Sequence, residues 1–142
     1  MFWDSLAVVP ILIAEARSSA MVALLRADRT PAIWWGTPVE CQSAFHRRRR
    51  EEILSQGALG DALTRLARLV EDVDVMAPTP RLRERAAGAL AAHPLRAADA
   101  LQLAAALVWS EESPTGEGFV SLDDRLREAA RRQGFEVLPD RL

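Results

Sequence analysis

Short apolar runs recur along this chain, and each is followed by a longer stretch whose apolar residues have helical spacing. The runs are Phe2 to Asp4, Ala32-Ile-Trp-Trp35, Val73-Asp-Val-Met76, Phe119-Val-Ser-Leu122 and Phe135 to Leu138. A strand with one wet face alternates apolar and polar residues; a strand covered on both faces does not. Strands this short, joined by helical crossovers, call for a parallel sheet with helices on both sides. The expected fold is α/β, three layers of α/β/α around a central, mostly parallel sheet of four to five short strands. It is expected to be one domain over residues 1–142. In such sheets ligands bind outside the carboxyl ends of the strands.

Helix signals fill the intervals. Ser5 to Glu15 reads as a helix, with Ser5 as N-cap and Pro10 late enough to kink it, and Ser18 to Asp28 as a second. Thr37-Pro-Val-Glu40 opens another that runs to about Ile53. Thr is a good N-cap, Pro suits the first helical position, and Glu at the third completes a capping box. Gly57 and Gly60 bracket a weak break before a helix from Leu59 to Val70. Arg81 to Ala92 and Leu95 to Trp109 are helical, parted by Pro94, and Asp123 to Gln133 is a helix stopped by Gly134.

Composition narrows the function. A chain of 142 residues, 49% hydrophobic and 27% charged, can bury a core without staples and is not disordered. Its net charge of −2 gives no global attraction for nucleic acid, so any polyanion contact needs a local basic patch. All 18 basic residues are Arg, which excludes lysine nucleophiles and Schiff bases. Cys41 is the single cysteine, which rules out an internal disulfide and a Cys-based zinc site. Leu6 to Ala14 is too short to span a bilayer, which takes roughly 20 residues, and Met1-Phe-Trp-Asp4 lacks the basic start of a signal peptide. A cytoplasmic protein that does not enter the membrane is expected.

Asp99 is the outstanding polar residue. It sits in Leu95-Arg-Ala-Ala-Asp-Ala-Leu-Gln-Leu-Ala-Ala-Ala-Leu-Val-Trp109, a run rich enough in Ala and Leu to be largely buried. A carboxylate there must be paired, lie on a wet edge, or bind a cation, because an isolated buried charge is prohibitively costly. Asp4, Glu40 and Asp123 (or Asp124) each fall where a strand gives way to a helix, and in a parallel sheet those junctions share one edge. Four convergent carboxylates without a base among them suit a hard divalent ion held by oxygen ligands. Each acid also has a local explanation. Glu40 can close a capping box, Asp123 or Asp124 can favour a helix start, and Asp4 can cap the first helix. Asp99 can share a solvated stripe with Arg96 and Gln102 and pair with Arg96.

Taken in order, these segments resemble a PIN-domain ribonuclease of the small VapC type, the toxin of a bacterial toxin–antitoxin pair, over essentially the whole chain. Phe2-Trp-Asp-Ser5 is similar to the family's opening strand and first aspartate. Thr37-Pro-Val-Glu40 resembles the segment bearing its glutamate. Arg96-Ala-Ala-Asp-Ala-Leu-Gln-Leu-Ala104 resembles its Asp-Ala-Leu helix, and Phe119-Val-Ser-Leu-Asp-Asp-Arg-Leu126 its last acidic motif, with the usual Gly-Phe strand at Gly134-Phe135. The resemblance implies Mg²⁺- or Mn²⁺-dependent hydrolysis of RNA phosphodiesters at Asp4, Glu40, Asp99 and Asp123. Asp4 and Asp99 would contact metal directly, with Glu40 and Asp123 in direct or water-mediated support. Asp124 occupies a variable position. The family often has a second small hydroxylic residue after its Asp-Ser pair, where this chain has Leu6, so Ser5 is left as the supporting hydroxyl.

RNA must also be gripped. Arg47, in His46-Arg-Arg-Arg-Arg50, returns to the helix face of Glu40 about 10 Å along the axis and is a candidate phosphate contact. The remaining arginines suit a solvated helix end. Trp3, Trp34 and Trp35 lie in apolar strands and are expected in the core rather than on bases. The family pattern further implies a cognate antitoxin that blocks the acidic cleft, and a homodimer; the helices from Leu6 to Leu25 are apolar enough to supply such an interface as well as core. The alternatives are a non-catalytic PIN-like module that binds RNA or protein, and a receiver-like domain with Asp4 as phosphoacceptor. The second lacks the lysine such domains need.

Overall fold

The strands pair as expected, and all in parallel. The structure, a computed structural model, describes residues 1–141. Leu142, the end of the expected single domain, lies outside the described residues. In chain order the elements are β1 (Phe2–Trp3), α1 (Ser5–Leu12), α2 (Ser18–Ala27), β2 (Ala32–Trp34), α3 (Thr37–Arg50), α4 (Gln56–Glu71) and β3 (Asp74–Met76). There follow α5 (Pro80–Ala92), α6 (Ala97–Trp109), β4 (Gly118–Val120), α7 (Asp124–Gln133) and β5 (Glu136–Leu138). The five strands form one sheet in the order β3-β2-β1-β4-β5, with Phe2 opposite both Ala32 and Phe119.

Helices cover both faces, so the fold is three-layered α/β/α. Successive side chains of a strand point to opposite faces, and the two cores divide accordingly. Phe2, Trp34 and Phe119 pack with α5, α6 and α7, whereas Trp3, Ile33 and Val120 pack with α1, α3 and α4. On the first face Phe2 stacks on Phe119 at 5.8 Å between ring centroids, and Phe119 meets Phe135 at 5.6 Å. Burying each such ring stabilises the fold by about 1.5–3 kcal/mol.

The chain runs outward from β1 to β3, then returns to begin β4 on the other side of β1. The switch point therefore lies between the carboxyl ends of β1 and β4, where open α/β sheets bind ligands. This order differs from the 2-1-3-4-5 order of receiver-like folds, which counts against the receiver-like alternative. It matches the start of the dinucleotide-binding order, but the turn after β1 is Asp4-Ser5-Leu6, without the glycines that let a backbone approach a pyrophosphate.

Several boundaries depart from the sequence expectation, each for a local reason. The first helix stops at Leu12 rather than Glu15, with Ile13 already extended. Pro10 has withdrawn a backbone donor just before. The third helix ends at Arg50, not Ile53, because Glu52 adopts a left-handed φ of 59° and turns the chain. Gly57 and Gly60 lie inside α4 rather than at a break. A Cβ at either would meet nothing within 4 Å, so both sit on its outer side, and Ser55 caps the helix through the Ala58 N–H.

Trp35 is the main correction. It follows β2 instead of belonging to it, and is 58% exposed, whereas Trp3 and Trp34 are buried as expected. The first two helices contribute to the core unequally. Ala7, Val8, Val9 and Leu12 of α1 are core residues, and in α2 Met21 alone is fully buried. Among the described residues no helix is long and apolar enough to cross a membrane.

Candidate acidic site at the switch point

Asp4 leaves β1 with its N–H still bonded to Val120 O at 2.9 Å, which fixes it at the junction with β4. It is the N-cap residue of α1, yet neither it nor Ser5 spends its side chain on a cap. Ser5 Oγ instead lies 2.7 Å from Glu40 Oε2 and 3.3 Å from Asp4 Oδ1. On the other side Ser121 Oγ donates to Asp4 Oδ2 at 2.8 Å while accepting the Asp123 N–H at 3.1 Å. Two serines thus bracket the Asp4 carboxyl, and only Ser5 was expected.

Glu40 does not form a capping box. Gly36 is the N-cap of α3, and the Glu40 side chain turns inward to Ser5 and to Gln102 Nε2, 3.2 Å away. The local alternative for Asp99 would have put Gln102 on a solvated stripe beside it. Gln102 is buried in α6, and the same Nε2 lies 3.2 Å from Thr37 Oγ1. Gln102 Oε1 is buried without a protein hydrogen-bond partner. An amide in an Ala/Leu helix one turn beyond an acid was the available signal, since a polar residue there must either be wet or be bonded.

Asp99 and Asp123 are placed by their helices. Asp99 Oδ2 accepts the Arg96 N–H at 3.3 Å, a backbone bond; among the described residues there is no ion pair between Asp99 and the Arg96 guanidinium. Asp123 caps α7 through the Leu126 N–H at 2.9 Å. The helix-start explanation therefore holds for Asp123, whereas for Asp99 the expected pairing with Arg96 is replaced by a bond to the Arg96 backbone and the stripe shared with Gln102 does not form. Asp124 is exposed, beside His93 and Arg125 in a recess outside the cluster.

Electrostatics link the four acids. Burial pushes the Asp4 carboxyl up to about 7; the Ser121 bond opposes this, while the charges of Glu40, Asp99 and Asp123 add to it. Glu40 is raised as well, by burial first and by the Asp99 charge last, against the pull of its bonds to Ser5 and Gln102. Burial, with the Asp4 and Glu40 charges behind it, pushes the Cys41 thiol up to about 12, so it stays protonated and takes no part as a nucleophile. No arginine is ion-paired to Asp4, Glu40, Asp99 or Asp123 among the described residues.

The donor set suits a hard cation: every candidate atom is oxygen. Glu40 Oε1, Asp99 Oδ1 and Asp123 Oδ2 have no hydrogen-bond partner among the described residues. The acids are not drawn into a closed cage, however. Among the described residues no three His, Cys, Asp or Glu side chains stand close enough to hold an ion as they are. Arg47 is exposed on α3 and unpaired among the described residues, while Arg48 pairs with Glu15 and Arg49 bonds Gln56. The sequence matches no protein-family model and no curated protein.

Gln102 supplies a test of the geometry. Gln102→Leu should lower any activity of the site about 10–100-fold, the usual loss when a group that orients an acidic ligand is removed. It should also move the acidic limb of the pH–rate profile upward, because Glu40 loses a bond that favours its charged form. A pH–rate profile of the variant beside wild type checks both, and a fall in rate with an unmoved limb would assign Gln102 to packing alone.

Proposed function

We propose that the protein is a Mg²⁺- or Mn²⁺-dependent ribonuclease of the PIN-like kind, acting as the toxin of a toxin–antitoxin pair. The observation that carries this reading is the influence of Glu40, Asp99 and Asp123 on the buried Asp4 carboxyl at the switch point, with no cationic side chain ion-paired to any of the four among the described residues. For Asp4 and Glu40 a purely structural role is hard to justify, since burial and the neighbouring charges both disfavour their ionised forms. The motifs around them resemble those of the family in the same order along the chain.

On this reading Asp4 and Asp99 hold the ion, and Glu40 and Asp123 support it directly or through water. A bound divalent cation supplies charge neutralisation at the scissile phosphate and a more acidic water. The chain's own residues do the positioning. Ser5 ties Glu40 to Asp4, Gln102 holds Glu40 from the α6 side, and Ser121 ties Asp4 to the start of α7. Arg47 is the candidate contact to a flanking phosphate. The same reading implies an antitoxin segment over the acids, a homodimer, and action in the cytoplasm.

A second reading, a PIN-like module that binds without chemistry, is favoured by the absence of a closed cage among the described acids. Incubation of the purified protein with a mixed pool of structured RNAs separates the two. Mn²⁺-dependent cleavage that EDTA stops and Asp99→Asn abolishes is expected. No cutting with Mn²⁺, or equal cutting by wild type and Asp99→Asn, sinks the nuclease reading.

A further inference from the structure

Trp35 is a large aromatic side chain left on the surface just before α3, the helix that carries Glu40. Its N–H still bonds Met76 O at 3.1 Å, so its backbone occupies the last rung of the sheet. The ring stands edge-on to that of Trp34 at 6.3 Å and 67°. Trp34 is itself held close. A Cβ on Gly36 would lie 2.4 Å from Trp34 Nε1, so the indole packs directly against the Gly36 backbone. Gly36 O in turn accepts the Glu40 N–H at 3.1 Å, which sets the indole pair one helical turn from a candidate site residue.

A recess of about 440 Å³ opens beside Trp34, lined also by Pro78, Thr79, Pro80, Arg83 and Leu101; Trp35 is not part of that lining and adjoins it through its edge contact with Trp34. The recess lies past the carboxyl ends of β2 and β3, along the same edge as the acids. Apolar walls with one cation fit a nucleotide better than an aliphatic side chain. Arg83 is exposed and has no ion pair among the described residues. Aromatic faces take any base, while a guanidinium takes the phosphate beside it.

We propose that Trp35 and the adjoining recess bind an unpaired nucleobase of single-stranded RNA next to the acidic site, with Arg83 on a neighbouring phosphate. The inference rests on the nuclease reading for its direction, because the platform flanks the phosphate that the acids would address. A base held there must be splayed from its neighbours, so paired RNA is excluded and loops or single strands are selected.

The test compares binding of a fluorescein-labelled octaadenylate with that of an abasic octamer of equal charge, by anisotropy in EDTA. Wild type is expected to bind the octaadenylate at least about tenfold more tightly, the order that one base–aromatic stack provides. Trp35→Ala should abolish that preference and Trp35→Phe should keep most of it. An unchanged circular-dichroism melt would show the fold intact, as expected at an exposed position. Equal binding of both oligomers by wild type overturns the proposal and assigns the Trp35 face to a protein partner; an undiminished preference in Trp35→Ala overturns it too. Cleavage with Mn²⁺ is scored separately. A base preference without cleavage refutes the nuclease and retains the platform, and cleavage without a base preference does the reverse.

Discussion

Asp4→Asn is expected to stabilise the metal-free protein at pH 7.5 by roughly 2–4 kcal/mol while abolishing Mn²⁺-dependent cleavage. The Ser5 hydroxyl has one proton to give, and its shorter contact, 2.7 Å, is to Glu40. The 3.3 Å contact to Asp4 Oδ1 is then a hydrogen bond when the proton sits on Asp4. An asparagine reproduces that pattern without a charge, its amide donating to Ser5 and its carbonyl accepting from Ser121. In the unfolded chain Asp4 ionises near 3.8, in the folded protein near 7. Between these values the unfolded chain has released a proton that the folded protein keeps. Stability from this group therefore falls as pH rises from about 4 to about 7, and is level on either side. Thermal melts in EDTA between pH 4 and 8 should show that fall in wild type and its loss in Asp4→Asn. A variant less stable than wild type at pH 7.5 would contradict the burial argument.

Arg127→Met should cost about 3–5 kcal/mol, the largest loss expected from any single change outside the core aromatics. Arg127 is 2% exposed and, among the described residues, has no carboxylate within ion-pair distance. Its guanidinium donates to Ser121 O at 2.8 Å, to Leu138 O at 3.0 Å and to Pro139 O. These carbonyls lie where β4 and β5 end, so one fork closes both strand ends beside the Ser121 that holds Asp4. Methionine matches much of the volume and leaves the carbonyls without donors. Lysine keeps a charge but not the planar fork, and should recover less than half of the loss. Urea denaturation of the three proteins measures this. A methionine variant within 1 kcal/mol of wild type would mean that water satisfies the carbonyls unaided.

The layers of this fold were legible because burial on both faces writes itself into composition. Phe2-Trp3 and Phe119-Val120 are apolar at every position since each face has its own core. Strand ends were less legible. Trp34 and Trp35 look alike in sequence, and what separates them is the close contact between Trp34 and the Gly36 backbone. Glycines misled in the other direction: on the outer side of α4, Gly57 and Gly60 cost about 1 kcal/mol each relative to alanine, too little to break a helix whose opposite face is packed.

The acids themselves stood out, Asp4, Glu40 and Asp123 because they fall where a strand gives way to a helix and Asp99 because it interrupts an Ala/Leu helix. Their partners did not. Ser121 looks like an ordinary strand residue, Gln102 like a wet one and Arg127 like a surface arginine on α7. Which of these is buried depends on contacts between segments far apart in the chain, and no local pattern carries that.

The bond from Ser121 to Asp4 spans 117 residues. β1 is two residues long and sits between β2 and β4, so it has no hairpin partner and nothing local to fold against. Pairings of such long separation are slow to form and arrive late in folding. During synthesis β1 emerges well before β4, so the acidic cluster stays unassembled until the residues from β4 to Asp123 have left the ribosome. If the site cuts RNA, it is built in an order that keeps the nascent chain harmless to the message from which it is being read.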